Sequence, residues 1–276
     1  MKYVCKGLLL TFILFYISCS VKKEFKDPIP KHNTFTLQSK HLGEFRIINV
    51  WVPDSFNSVS DSLPVMYMAD GGIQEDFPHV ANTLSELIQL KKIKPTILVG
   101  IENTHRRRDL SGPTEVEEDR KIAPVVGGAD KFRAFIQDEL IPEINRKYAT
   151  TKERGIIGES LSGLFVFETF LLTPDMFDYY IAFDPSLWWN NHYLVRNAKE
   201  YISKFPTSEK RLWFASSSAK DISVYAKDMV KILQIERRPN IEWKFSNEPN
   251  EKHNTIFRAA KEKAIIWTLS IKPELH

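Results

Sequence analysis

Cysteine is nearly absent from this 276-residue chain: the two present, Cys5 and Cys19, both fall in the first twenty residues. Everything that follows must fold with no disulfide, no thiol nucleophile and no cysteine-held metal, so its stability has to come from a core. The chain is 43% apolar, and the roughly 250 residues beyond the leader suffice for one large core. Other signatures are missing too. There is no H-E-x-x-H zinc helix, no Walker phosphate loop and no G-x-G-x-x-G dinucleotide turn, so neither a metal nor an organic cofactor is expected. An excess of one charge is lacking: of the formal +3, two units come from Lys2 and Lys6. The basic residues are scattered rather than striped, which excludes nucleic acid or another polyanion as the expected partner. Internal repeats and low-complexity tracts are absent, and nothing in the pattern speaks to an oligomeric state.

The N-terminus addresses the chain. Lys2 and Lys6 precede an apolar run from Leu8 to Ile17, followed by Ser18 and Cys19. A basic start, a short apolar stretch and small residues read as a secretion signal, too short to span a bilayer comfortably. Tyr16-Ile17-Ser18-Cys19 resembles the lipobox of bacterial lipoproteins, with Cys19 as the lipidated residue, although leucine is usual where Tyr16 stands. Residues 1–19 are therefore expected to be a lipoprotein-like signal, and the protein to be exported and held by lipid in a bacterial envelope membrane. Plain secretion, a periplasmic location and an uncleaved anchor are the alternatives. Residues 20–40 are polar, with Pro28 and Pro30, and read as a tether; the domain is expected over 41–276.

From Phe45 onward, short apolar runs alternate with stretches of helical spacing. Strands are expected around Phe45–Val52, Pro64–Ala69, Thr96–Ile101, Gly155–Ile157, Tyr179–Phe183, Leu212–Ala215 and Ile241–Phe245. Helices are expected around His79–Leu90, Phe132–Tyr148, Leu164–Leu172, Val224–Leu233 and Thr255–Leu269. This alternation predicts an α/β fold, a mainly parallel sheet with helices on both faces. Functional groups then belong on loops at the carboxyl ends of strands.

One such loop carries chemistry. Gly158-Glu159-Ser160-Leu161-Ser162-Gly163 follows an apolar strand and opens an apolar helix. A strand running into a sharp turn with serine at its tip describes a nucleophile elbow, and the first N–H groups of the next helix face any oxyanion formed there. The fifth position is Ser162 rather than glycine, but serine is compact enough for the elbow to survive. An ordinary turn capped by Ser160 is the alternative. A serine nucleophile needs a base, and the base an orienting acid, in the order Ser, acid, His for such elbows. Of the three later histidines, His192 comes too early and His276 ends the chain. His253 lies in a polar loop between the last strand and the last helix, where a general base would be delivered. The acid should follow the Leu212–Ala215 strand. Asp221 is the carboxylate of that loop, and both a catalytic role and a helix cap are open to it; a Ser–His dyad is the other possibility. The oxyanion donors would be the N–H groups of Leu161 and, at the end of an earlier strand, Gly72.

These segments resemble the putative-esterase family of α/β-hydrolases, in particular its enterochelin-esterase-like branch. The resemblance runs from about Gly43 to Trp267. It rests on Pro64 to Gly71, Asn103 to Leu110, Phe135 to Pro142, Gly158 to Phe165, Pro185-Ser186-Leu187-Trp188-Trp189 and Glu251-Lys252-His253. It implies the α/β-hydrolase fold, Ser160 as nucleophile, His253 as base, and Leu161 with Gly72 as oxyanion donors. Glu159 and Ser162 stand where histidine and glycine are usual, and the acid loop is serine-rich where many relatives carry glutamate. Arg106, Arg107 and Arg108 form a basic cluster. Arg106 and Arg108 could clamp an anionic group such as a carboxylate or catecholate, or pair with nearby acids. Trp188 and Trp189 could wall an aromatic or sugar-binding pocket, or pack in the core. The expected activity is hydrolysis of carboxylic esters through an acyl-enzyme, on a siderophore lactone or an acylated carbohydrate. A catalytically silent, lipid-anchored binding protein on the same fold is the rival.

Overall fold

The computed structural model describes residues 27–54 and 62–270. The signal and Cys19 lie outside them, as does His276. Eight strands form one sheet: β1 (Asn33–Gln38), β2 (Phe45–Trp51), β3 (Leu63–Met68), β4 (Ile97–Ile101), β5 (Thr150–Glu159), β6 (Tyr179–Phe183), β7 (Lys210–Ser216) and β8 (Ile241–Asn247), in the order β1-β2-β4-β3-β5-β6-β7-β8. β1 pairs with β2 and β2 with β4 antiparallel, and from β4 onward every pairing is parallel. β4 and β6 are buried at every residue, as continuous apolar strands covered on both faces must be.

Helices α1 (Phe77–Gln89) and α9 (Ile256–Leu269) cover one face. There Phe77, Val80, Leu84, Phe257 and Ala260 pack on Met66, Met68, Ile157 and Trp213. The short helices α2 (Arg106–Asp109) and α3 (Glu117–Ile122) follow β4. The other face carries α4 (Ala129–Phe135), α5 (Ile141–Lys147), α6 (Leu161–Leu172), α7 (Trp189–Ser203) and α8 (Lys220–Glu236). Phe132, Phe135, Phe165, Phe167, Ala198 and Met229 build the core beneath them. α6 is buried along nearly its whole length, the state of a helix apolar all round. The helix expected over Phe132–Tyr148 is one run with a π-turn at Ile136–Leu140, immediately before Pro142, which has no N–H to give the preceding turn.

The tether reading of residues 20–40 is corrected over its described part. Asn33–Gln38 is strand β1, with Phe35 and Leu37 half-buried on one face, and it pairs along its length with β2. Upstream, Asp27 forms a two-pronged ion pair with Arg258 (2.9 and 2.5 Å), and the carbonyl of Pro28 accepts from Asn82 (2.8 Å). The folded unit therefore reaches back at least to Asp27.

Candidate active site

β5 delivers Ser160 to the carboxyl edge of the sheet, and α6 starts at the next residue. Ser160 has φ 58° and ψ −115°, a conformation that costs a non-glycine residue about 1–3 kcal/mol and that its surroundings must impose. They do so through the backbone. The Ser160 N–H donates to the Phe183 carbonyl (2.9 Å), and its own carbonyl accepts from Leu164 (2.9 Å) and Ser186 (3.1 Å). At Gly158 a Cβ would lie 2.7 Å from the backbone of Ser162, so the turn has no room for another residue. Ser162 does more than fit: its hydroxyl donates to the Glu159 carbonyl and accepts the Glu159 N–H, both at 2.9 Å. The serine in the glycine position ties the elbow together.

His253, between β8 and α9, places Nε2 2.9 Å from Ser160 Oγ and Nδ1 3.0 Å from Asp184 Oδ2. With the hydroxyl donating to Nε2, Nδ1 carries the proton and donates to Asp184. Asp184 follows β6 directly and is fully buried. It also accepts the Ser217 N–H on Oδ1 (2.7 Å) and the Ser217 hydroxyl on Oδ2 (2.5 Å). Three donors thus compensate a carboxylate that burial alone would penalise. This corrects the assignment of Asp221, and the dyad alternative falls with it. Asp221 is exposed in the first turn of α8, where its side chain makes no capping bond; it acts on His253 only as a more distant negative charge. The serine-rich loop after β7 supplies the donors for the acid rather than the acid itself. Ser218 secures the histidine loop as well, its N–H and hydroxyl both donating to the Glu251 carbonyl (2.9 and 2.8 Å). The order Ser, acid, His is kept, with the acid one strand earlier.

The Leu161 N–H lies in the first turn of α6, where N–H groups have no acceptor within the helix, so it stands where an oxyanion donor is needed. The Gly72 N–H is not the open donor that the sequence suggests. It donates to Glu75 Oε2 at 2.7 Å, while Oε1 accepts from Asn103 (2.8 Å). Gly72 can serve an oxyanion only when the Glu75 carboxyl turns away. Burial pushes the Glu75 carboxyl above its ordinary pKa, with partial compensation from these donors.

The basic cluster is not an open clamp. Arg106 grips Asp70 with two prongs, 2.5 and 2.8 Å, and Asp70 also accepts from Asn103 (2.5 Å). Arg108 is held by Glu44 (2.6 Å) and Asp109 (2.7 Å). Arg107 donates to the Ile122 carbonyl and is otherwise exposed. The two tryptophans divide. Trp189 is core, its indole N–H donating to the Gly112 carbonyl (3.1 Å), whereas Trp188 is half-buried. With Ile122, Asp221, Val224 and Tyr225 it lines a shallow cavity of about 340 Å³. His192 stacks on Tyr225 with ring centroids 5.1 Å apart and takes no part in the serine's chemistry.

Two titrating groups meet at the nucleophile. The Asp184 hydrogen bond holds the His253 pKa above its ordinary value, against desolvation and with help from the Glu159 charge. Glu159 Oε1 lies 3.6 Å from His253 Nε2. Desolvation pushes the Glu159 carboxyl up to about 8, with His253 pulling it back. Among the described residues no cluster of His, Cys, Asp and Glu could hold a metal ion.

A family model described as putative esterase matches residues 39–276. The chain is 32% identical to the ferri-bacillibactin esterase BesA of Bacillus subtilis over 160 residues, 51% of this chain and 53% of that protein. It is 34% identical to the siderophore triacetylfusarinine C esterase of Aspergillus fumigatus over 102 residues, 35% of this chain and 33% of that protein. The matched region thus spans a third to about half of the length of these curated relatives. Among solved structures, the BES protein from Bacillus cereus superposes with a TM-score of 0.79 at 21% identity, covering 90% of this chain and 100% of that one. An IroE-like serine hydrolase from Shewanella oneidensis gives 0.77 at 23% identity, covering 88% and 82%. At these identities the structures speak for the fold, and they agree with the α/β-hydrolase architecture described above.

Proposed function

The chain belongs to the putative esterase family, and from that premise we propose that it is a serine esterase acting through an acyl-enzyme. The observation that carries the reading is the continuous chain from Ser160 Oγ through the His253 ring to Asp184, with both contacts within 3.0 Å. Ser160 Oγ attacks the ester carbonyl as His253 Nε2 takes its proton, and Asp184 stabilises the imidazolium that results. The oxyanion is received by the Leu161 N–H and, once Glu75 turns aside, by the Gly72 N–H. His253 then gives the proton to the departing alcohol, and a water molecule, deprotonated by the same nitrogen, releases the acid. The substrate is a small-molecule ester. The names of the curated relatives support a siderophore ester over an acylated carbohydrate. An anionic clamp made by Arg106 and Arg108 gains no support, since both are engaged by carboxylates. Export and lipid attachment at Cys19 belong to the same proposal and rest on the leader sequence alone.

A silent binding protein is the weaker reading, because backbone strain and two aligned hydrogen bonds would have no purpose in it. Fluorophosphonate treatment of the purified protein is expected to label Ser160, located by mass spectrometry. Ser160→Ala should lower p-nitrophenyl butyrate hydrolysis by about a thousandfold or more while barely moving thermal unfolding. A label elsewhere, or full activity in that variant, would remove the proposal.

A further inference from the structure

Glu159, the residue before the nucleophile, is the acidic group that the mechanism above leaves without a task. Its side chain is 18% exposed, and its ion-pair neighbour among the described residues is His253 Nε2, at 3.6 Å beyond hydrogen-bond reach. No donor among the described residues compensates it, in contrast to Asp184 and Glu75. Its surroundings lean the same way. Asp76 and Asp70 both act on it as like charges. Arg106, the cation that acts on it besides His253, is committed to Asp70 by both prongs. An anionic substituent placed here would meet carboxylates. A neutral one without an N–H or O–H would leave a desolvated carboxyl with no partner, at a cost of the kind that buried unsatisfied groups impose, and a neutral donor would bring no charge to balance the carboxylate.

We infer that the ester cleaved at Ser160 carries a cationic nitrogen, an ammonium group close to the scissile carbonyl, and that Glu159 is the specificity-determining residue that receives it. This rests on the esterase reading above. An ammonium group brings N–H donors and a positive charge to a carboxylate largely removed from water, where such a pair is much stronger than on a surface. Its binding keeps Glu159 ionised, which offsets the upward push of burial on that carboxyl. The carboxylate next to Nε2 also favours the imidazolium formed when Ser160 attacks.

The test compares β-alanine ethyl ester with its N-acetyl derivative, as the ratio of their kcat/KM values, in wild type and in Glu159→Gln. Taking the ratio of ratios cancels the intrinsic reactivity of the two esters and any general effect of the substitution. The ammonium ester should lose at least about tenfold of its relative kcat/KM in Glu159→Gln, the usual worth of a hydrogen bond to a charged group. A ratio unchanged between the two proteins overturns the inference. So does a wild type that hydrolyses p-nitrophenyl butyrate through Ser160 but favours the N-acetyl ester or takes neither. Absence of Ser160-dependent hydrolysis of p-nitrophenyl butyrate would instead strike the esterase reading.

Discussion

Asp184 and Glu159 stand on opposite sides of the His253 ring, both withdrawn from solvent, yet they are held in opposite ways. Asp184 is fully buried and receives three donors, two from Ser217 and one from His253 Nδ1. The Glu159 side chain is slightly exposed and its carboxylate receives no hydrogen bond among the described residues, so burial pushes it up to about 8. What separates a structural anchor from a reactive group here is the supply of donors rather than depth. A compensated carboxylate fixes the ring, and an uncompensated one is left free to respond to what enters the site.

The largest effect should come from breaking the compensated side. Asp184→Asn is expected to lower kcat by about ten-thousandfold, since the amide no longer holds His253 in the tautomer that accepts the serine proton. Asp221→Asn should change kcat less than threefold. Steady-state hydrolysis of p-nitrophenyl butyrate reads both, and comparable losses in the two variants would contradict the assignment of the acid. Next comes Ser217→Ala, which leaves the N–H in place but removes a hydroxyl donor from a buried carboxylate. Unfolding in urea should show a loss of about 1–3 kcal/mol, with a fall in kcat well short of that in Asp184→Asn. Unaltered stability would mean that Asp184 does not depend on that hydroxyl.

How the sequence conveyed this site follows from what each residue depends on. The elbow and His253 are local: glycine before a strand end, serine at a turn, and a histidine in the loop before the last helix can be read where they stand. Asp184 escapes the expected order, which places the acid after β7, although an aspartate directly after an apolar strand and before Pro185 is the available signal. The three serines that looked like a damaged acid loop make sense only once β6 and β7 are known to be neighbours. β1 resembles a tether in sequence because an edge strand half-buried on one face shows only Phe35 and Leu37 among polar residues. The arginines could not be judged from spacing, since Arg106 pairs with Asp70 and Arg108 with Glu44, 36 and 64 residues away. The engagement of Gly72 by Glu75 is short-range but depends on a rotamer, which no residue pattern dictates.

A further effect concerns the uncompensated side and appears as a pH dependence of stability. The folded pKa of Glu159, about 8, lies above the ordinary glutamate value of 4.5, so folding favours the protonated form. Stability that the wild type has below that lower value is lost as pH rises toward 8, at up to about 1.4 kcal/mol per pH unit. Glu159→Gln does not titrate there. Its urea midpoint relative to wild type should therefore be higher at pH 8.5 than at pH 4.5, whereas a flat difference would show Glu159 to be well solvated. His253, Asp70, Asp76 and Arg106 face it in both proteins, so the difference reads the Glu159 carboxyl together with its coupling to His253.

The pH dependence of fluorophosphonate inactivation tests most directly whether Asp184 governs His253. Serine attack requires the neutral imidazole, and the bond to Asp184 raises the pKa of that ring. The wild-type acidic limb is therefore expected above the ordinary histidine value of about 6.5. Asp184→Asn should shift that limb to lower pH while cutting the maximal rate, and Asp221→Asn should leave it nearly in place. A limb that stays put in Asp184→Asn, or moves equally in Asp221→Asn, would contradict the account.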